Sequence, residues 1–186
     1  MKLYNCPKAK DFLVSECWIL SWNASVQRAH LYKKDVPDNE KSQFEKEKGK
    51  FRKALIQFIE NELLPNYGNQ VSEEQHLDNI LYLSEHGTKI GKKVLRPGGY
   101  KIGVAQKLFN LQLKYLWCLG VVEKPPHCPV DRVMIEKTYL RDKVAWTKID
   151  DIDEYVKVIE AMKDVALSSG ISLAEWELSV YDRNDA

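Results

Sequence analysis

The chain has 186 residues, of which 44% are hydrophobic and 30% are charged, and its formal net charge at pH 7 is +1. This balance is typical of a globular protein with a buried core and excludes an intrinsically disordered chain. No apolar run reaches the length of a membrane span, and the segment "MKLYNCPKAKDF" lacks the apolar stretch of a signal peptide. The composition therefore predicts a cytoplasmic protein without a membrane segment.

Helical patterns follow one another along the chain, and no alternating pattern of useful length indicates a strand. The first predicted helix covers 8–34. The second predicted helix is capped by Asp38 or Asn39 and ends at Pro65, and its buried residues are Phe51, Leu55, Phe58, Ile59 and Leu63. A third helix lies between Ser72 and Gly87, and a fourth covers 102–119 before Gly120. A short element over 133–137 follows, and then one helix capped by Asp150 or Asp151 and one capped by Ser172. We expect an all-α, compact helical array, either one domain over 1–186 or two small lobes, 1–86 and 87–186, around a central buried helix.

The four cysteines do not form a metal-binding pattern. No CxxC spacing joins Cys6, Cys17, Cys118 and Cys128, and two of them sit in apolar helical surroundings. The pattern indicates reduced thiols, with no zinc or iron–sulfur site and no cofactor.

The fourth predicted helix is apolar on nearly all sides. Its apolar ridges consist of Val104, Leu108, Leu111, Tyr115 and Leu119, and of Ala105, Phe109, Leu113 and Leu116. The remaining polar stripe consists of Gln106, Lys107, Asn110 and Lys114. Because such a helix is buried centrally, the stripe must face either a crevice or a partner.

The segment from Gly87 to Val122 contains no acidic residue, yet it contains seven cations. A basic segment in a protein of neutral net charge is either the footprint of a phosphate-bearing partner or a solvated surface. We expect the loop from Lys89 to Lys101 to lie beside the crevice that the polar stripe faces.

Lys107 and Asp131 allow a chemical and a structural interpretation. A lysine in a partly dry crevice has a lowered pKa, and its neutral amine can form a Schiff base. Asp131 follows a proline-rich connector that could return over the helix and place a carboxylate within reach. In the structural interpretation, Lys107 extends from the core to water, and Asp131 caps the next helix.

The segments "GVAQKLFNLQL" and "EKPPHCPVDRV" contain Lys107 and Asp131. The first resembles the helix of the catalytic lysine, and the second the segment of the catalytic aspartate, in helix-hairpin-helix DNA glycosylases, with archaeal 8-oxoguanine DNA glycosylase-like members the nearest. Ala105 stands where the usual hairpin pattern has its second glycine.

The resemblance implies a base-excision glycosylase with lyase activity on damaged duplex DNA. It implies that Lys107 attacks the sugar C1′ and that Asp131 activates the amine or stabilises the cationic sugar. It assigns the DNA phosphates to Lys89, Lys92, Lys93, Arg96 and Lys101 with the backbone N–H groups of Gly98, Gly99 and Gly103, and it offers Tyr115, Trp117, Trp146 and Trp18 as side chains that stack on a flipped base.

Two other functions remain open from the sequence. One is a non-catalytic helical protein that binds nucleic acid in a mobile-element or defence locus, with Lys107 as a phosphate contact. The other is a protein-interaction module in which the acidic stretch Asp150 to Glu154 neutralises the basic segment, within the fold or across a dimer.

Overall fold

The computed structural model of the protein describes residues 7–181. Over this range it contains seven α-helices and no β-strand, which confirms the all-α prediction. One isolated antiparallel bridge joins Tyr32 to Leu95. The helices are α1 (Pro7–Trp22), α2 (Lys41–Phe58), α3 (Glu73–Ile90), α4 (Ile102–Cys118), α5 (Arg132–Glu136), α6 (Ile152–Leu167) and α7 (Leu173–Val180).

Helix α4 lies at the centre of the fold. It packs against α1 on one side and α3 on another, and α6 and the 3-10 turn Trp146–Lys148 also contact it. Every residue from Ile102 to Asn110 is buried, as expected for a helix with two apolar ridges. One hydrophobic core includes residues from α1 to α7. The central helix therefore gives every neighbouring element a common apolar surface.

Side-chain caps fix the start of three helices where the sequence predicted them. Ser72 accepts a hydrogen bond from the Gln75 N–H at 3.2 Å, and Asp151 accepts one from the Asp153 N–H at 2.8 Å. Ser172 begins α7 in a capping box with Glu175. Of the two candidates for the cap of α6, the structure selects Asp151.

Other helix ends differ from the prediction. No side chain caps α2, because a 3-10 turn over Asp38–Glu40 leads into it. Gly87 does not stop α3, which runs on to Ile90. A Cβ at Gly87 would lie 2.5 Å from the Tyr100 ring, so this glycine allows close packing instead.

The first helix is shorter than predicted. α1 ends at Trp22, a π-helical turn follows over Asn23–Gln27, and the chain then leaves helical geometry. His30 has a left-handed backbone with φ of 50°. Pairing of Tyr32 with Leu95 draws this segment toward the loop before α4, which local helix propensity could not indicate.

Cys17, Cys118 and Cys128 are free thiols, and Cys6 lies outside the described residues. Among residues 7–181, no helix combines the length and hydrophobicity needed to cross a membrane.

Candidate active site

Two amides of the polar stripe hold the proline-rich connector against α4. The Gln106 side chain donates to the Val130 carbonyl at 2.8 Å and accepts from the Val130 N–H at 3.0 Å. The Asn110 amide donates to the Cys128 carbonyl at 3.2 Å. Because these bonds are buried and go to main-chain atoms, they fix the path of the chain immediately before Asp131.

The connector brings Asp131 to Lys107. The Lys107 Nζ lies 3.3 Å from Oδ2 of Asp131, and the two residues are only 3% and 8% exposed. The predicted proximity of these side chains is confirmed. Oδ1 of Asp131 accepts a hydrogen bond from the Met134 N–H at 3.1 Å and so caps α5. The cap and the ion pair, which the sequence presented as alternatives, occur together on different oxygens.

The indole of Trp146 also contacts the amine. The Lys107 Nζ lies 4.2 Å from the centroid of the Trp146 ring. Gly103 allows this arrangement, because a Cβ there would lie 1.7 Å from the Trp146 carbonyl oxygen. The Gly103 N–H also donates to the Ile149 carbonyl at 2.9 Å. The 3-10 turn is therefore held against the first turn of α4 by backbone contact.

Burial is the main electrostatic influence on the amine. Desolvation lowers the pKa of Lys107 below its ordinary value of 10.5, Asp131 opposes this shift, and the charge of Arg28 adds to it. The net direction is downward. The amine thus loses its proton at a lower pH than a solvated lysine would.

Lys107 and Asp131 lie in a crevice of about 590 Å³. The turn after α1 forms one wall, and the start of α5 and the 3-10 turn form the other. The residues that line it, besides the pair itself, are Asn23, Gln27, Arg28, His30, Arg132, Val133, Trp146 and Thr147. The two arginines of this lining, Arg28 and Arg132, are exposed. The crevice is therefore a cationic opening with a buried amine inside it.

Sequence reasoning missed the wall that follows α1. It assigned residues 23–30 to the interior of a long helix, whereas a π-helical turn and the left-handed His30 turn the chain toward the crevice. A π-helical turn is frequent at functional sites, but its residues carry no pattern that a single sequence reveals.

A buried polar cluster packs beneath the connector, around Asn110 and His127. Asn110 donates to the Tyr155 hydroxyl at 3.1 Å, and that hydroxyl forms a hydrogen bond with Nδ1 of His127 at 2.9 Å. His76 lies next to His127 and bonds to the Tyr67 hydroxyl. Burial lowers the pKa of His127 to about 3 and the pKa of His76 well below 6.5. Both imidazoles are therefore neutral near pH 7.

The predicted phosphate-binding loop lies apart from the crevice lining. Lys101 pairs with Asp150 at 3.0 Å, and Lys93 approaches Glu47 at 3.9 Å. The crevice lining contains none of the five cations that were assigned to phosphates, namely Lys89, Lys92, Lys93, Arg96 and Lys101. The loop therefore contributes none of these five cations to the crevice lining.

Two of the three predicted backbone donors are already used within the fold. The Gly99 N–H donates to the Arg96 carbonyl at 3.2 Å, and the Gly103 N–H is taken by Ile149. These two groups cannot also bind a phosphate, which corrects the prediction. Gly98 keeps a positive φ of 97°, a conformation that glycine adopts without strain.

Of the aromatic residues predicted to stack on a base, Trp146 alone lines the crevice, and Lys107 covers one face of its ring. Tyr115 and Trp117 follow Lys107 along α4 by roughly 12 and 15 Å, at about 1.5 Å per residue. Trp18 is buried and donates to Glu60 at 2.8 Å. None of these three side chains lines the crevice.

Across residues 7–181, no group of three or more His, Cys, Asp and Glu side chains is arranged to hold a metal ion. No family model, curated protein or solved structure matches the chain.

Proposed function

We propose that the protein is a DNA base-excision glycosylase with abasic-site lyase activity, in which Lys107 is the nucleophile and Asp131 its proton acceptor. The supporting observation is the buried Lys107 amine, which contacts both the Asp131 carboxylate and the Trp146 ring inside an open cationic crevice. The resemblance of the lysine helix and of the aspartate segment to helix-hairpin-helix glycosylases supports the same reaction.

The reaction requires a neutral amine at the sugar. The Lys107 nitrogen forms a bond to C1′, the glycosidic bond breaks, and the base leaves with the electron pair and takes up a proton. Asp131 accepts the proton that the amine releases. Opening of the sugar ring gives a Schiff base between Lys107 and C1′. Loss of a C2′ proton then expels the 3′ phosphate and cleaves the strand.

The hydrogen bonds of the site support these roles. The cap bond from Met134 orients the carboxylate so that its other oxygen faces the amine. Burial favours the neutral amine by lowering its pKa. Arg28 and Arg132 at the opening offer positive charge to the phosphates beside a flipped nucleotide.

Borohydride trapping on a duplex with one abasic site tests the proposal. The wild-type protein should form a covalent adduct, and Lys107→Gln should form none, because glutamine cannot make an imine. Lys114→Gln is the matched control. Lys114 also lies on α4 and pairs with a buried carboxylate, that of Glu177, at 2.7 Å, but it lies outside the crevice lining. Its variant should trap like the wild type.

Two results would overturn the catalytic proposal. One is an adduct that persists in Lys107→Gln. The other is a wild-type protein that binds abasic DNA yet forms no adduct at any pH up to 10.5, the ordinary pKa of lysine. The second result would leave a non-catalytic nucleic-acid-binding protein, in which the pair only anchors α5 to α4.

One observation favours the protein-interaction alternative. The pair between Lys101 and Asp150 joins the basic segment to the acidic stretch within the fold. A protein-interaction module would show no salt-dependent affinity for duplex DNA, whereas both nucleic-acid functions require it.

A further inference from the structure

A second groove, of about 510 Å³, runs between α2 and the segment His30–Lys34. The α2 side presents Glu45, Lys48, Gly49 and Arg52, which are spaced i, i+3, i+4 and i+7 and so share one helix face. The opposite side includes Tyr32, Lys33 and Lys34. Four lysine and arginine residues line this groove against one acid.

Two of these cations are held in place by aromatic rings. The Lys48 Nζ lies 4.8 Å from the centroid of the Tyr32 ring, and the Arg52 guanidinium lies 5.3 Å from that of Trp22. Lys48 also pairs with Glu45 at 2.8 Å. Each of these rings therefore already packs against a cation, so the groove is better suited to phosphates than to stacked bases.

The remaining charges lack compensating acids. The Lys34 side chain is exposed, and its amine has no ion-pair or hydrogen-bond partner within the described part of the chain. The Lys33 Nζ donates to the carbonyls of Lys92 and Lys93, which orient it without neutralising its charge. The groove therefore retains a net positive charge that an anionic ligand would neutralise.

The groove adjoins the candidate active site. Gln27 and His30 line both cavities. A polymer with one nucleotide in the crevice would reach the groove past these two residues. An isolated anion would bind in only one of the two cavities, whereas a strand with regularly spaced phosphates could occupy both at once.

We propose that this groove binds, through its phosphates, the nucleic-acid strand on one side of the nucleotide that enters the crevice. The proposal rests on the proposed function for its choice of polymer, because an acidic peptide would match the charge but would bring no nucleotide to Lys107. It assigns strand binding to α2 and the segment after α1, in place of the loop before α4.

The charge part of the proposal is tested by the salt dependence of binding to an abasic-site duplex. Lys34→Gln/Arg52→Gln removes two cations of the groove. Lys53→Gln/Lys157→Gln is the control, because it removes the same charge from exposed positions outside both cavities. If each groove cation contacts a phosphate, the slope of log affinity against log salt should become less negative by about 2 in the groove variant. The control should leave it nearly unchanged.

The path of the strand is tested by filling the groove. A Cβ at Gly49 would meet no atom within 4 Å, so Gly49→Leu occupies the groove without disturbing the helix. Gly68→Leu, at an equally open position outside the groove, is its control. Duplexes with the abasic site at a fixed position and progressively shortened 5′ or 3′ flanks should show which flank the wild type needs. Gly49→Leu should lose that dependence on flank length, and Gly68→Leu should keep it.

The outcomes separate this proposal from the proposed function. Weaker binding in both groove variants, with a flank dependence that Gly49→Leu abolishes, supports the groove whether or not a covalent adduct forms. Equal loss in the groove and control double variants, or an unchanged flank dependence in Gly49→Leu, overturns the groove even if Lys107 traps DNA. A wild type that binds an acidic peptide but no duplex also overturns it.

Discussion

Replacing Gly103 with alanine should loosen the wall of the candidate active site without touching its charged groups. The added Cβ would lie 1.7 Å from the Trp146 carbonyl oxygen and 2.9 Å from the carbonyl carbon. These are backbone atoms, which no side-chain rotation can move away. The 3-10 turn would have to retreat by about 1.7 Å to reach ordinary van der Waals contact.

The expected cost follows from two contributions. Retreat of the turn breaks the hydrogen bond from the Gly103 N–H to Ile149, which contributes about 1 kcal/mol. The residual overpacking adds about 1–3 kcal/mol. We therefore expect the free energy of unfolding to fall by about 2–4 kcal/mol, and Tm to fall by roughly 4–16 °C for a chain of this size. Trp146 would also move away from Lys107, and adduct formation should slow.

Urea unfolding and borohydride trapping measure the two effects. Gly49→Ala is the matched control for the unfolding measurement, because its Cβ enters open space within a helix and should raise stability by about 0.5–1 kcal/mol. A Gly103→Ala protein as stable as the wild type would refute the argument that this glycine is required for backbone contact.

Three further predictions concern titration and charge. Asp131→Asn should keep the α5 cap, since asparagine caps as well as aspartate, yet slow trapping by about 10²-fold or more while DNA binding stays equal or tightens; an unchanged trapping rate would contradict the proton-acceptor role. The trapping rate of the wild type should rise with pH through a midpoint below 10.5, because burial lowers the pKa of Lys107; a midpoint at or above that value would contradict the desolvated amine. Because the native pKa values of His76 and His127 lie below 6.5, the unfolded state binds more protons in acid, and the free energy of unfolding should fall between pH 6.5 and about 3. The slope should approach about 1.4 kcal/mol per pH unit for each histidine, and His127→Gln should reduce it in urea titrations at several pH values; equal stability at pH 7 and pH 5 would contradict it.

The helices were predictable where a local signal defines them. The caps at Ser72 and Ser172, and the double apolar ridge of α4, are written in a few neighbouring residues. Prediction was wrong where a distant contact decides the local structure. The ring of Tyr100 explains why Gly87 lies inside a helix, and the bridge to Leu95 accompanies the early end of the first helix.

The candidate site was likewise predictable only in part. The stiff connector and the lone polar stripe indicated that Asp131 returns to Lys107, and the structure places them in contact. The stripe's amides were expected to face either a crevice or a partner, but they are buried under the connector. The contribution of Arg28 to the crevice depends on a π-helical turn, and the tight contact at Gly103 depends on a turn more than 40 residues away. Neither feature could therefore be predicted from the local sequence.

The two amides that hold the connector have a consequence for recognising distant relatives of this chain. Gln106 and Asn110 bind main-chain atoms of residues 128 and 130, so the side chains at those two positions can drift among apolar types without displacing the aspartate. The amides themselves cannot drift, because a shorter or apolar side chain would leave buried carbonyls unpaired. A search pattern should therefore weight a glutamine and an asparagine four positions apart, with lysine directly after the glutamine, above the letters that surround Asp131.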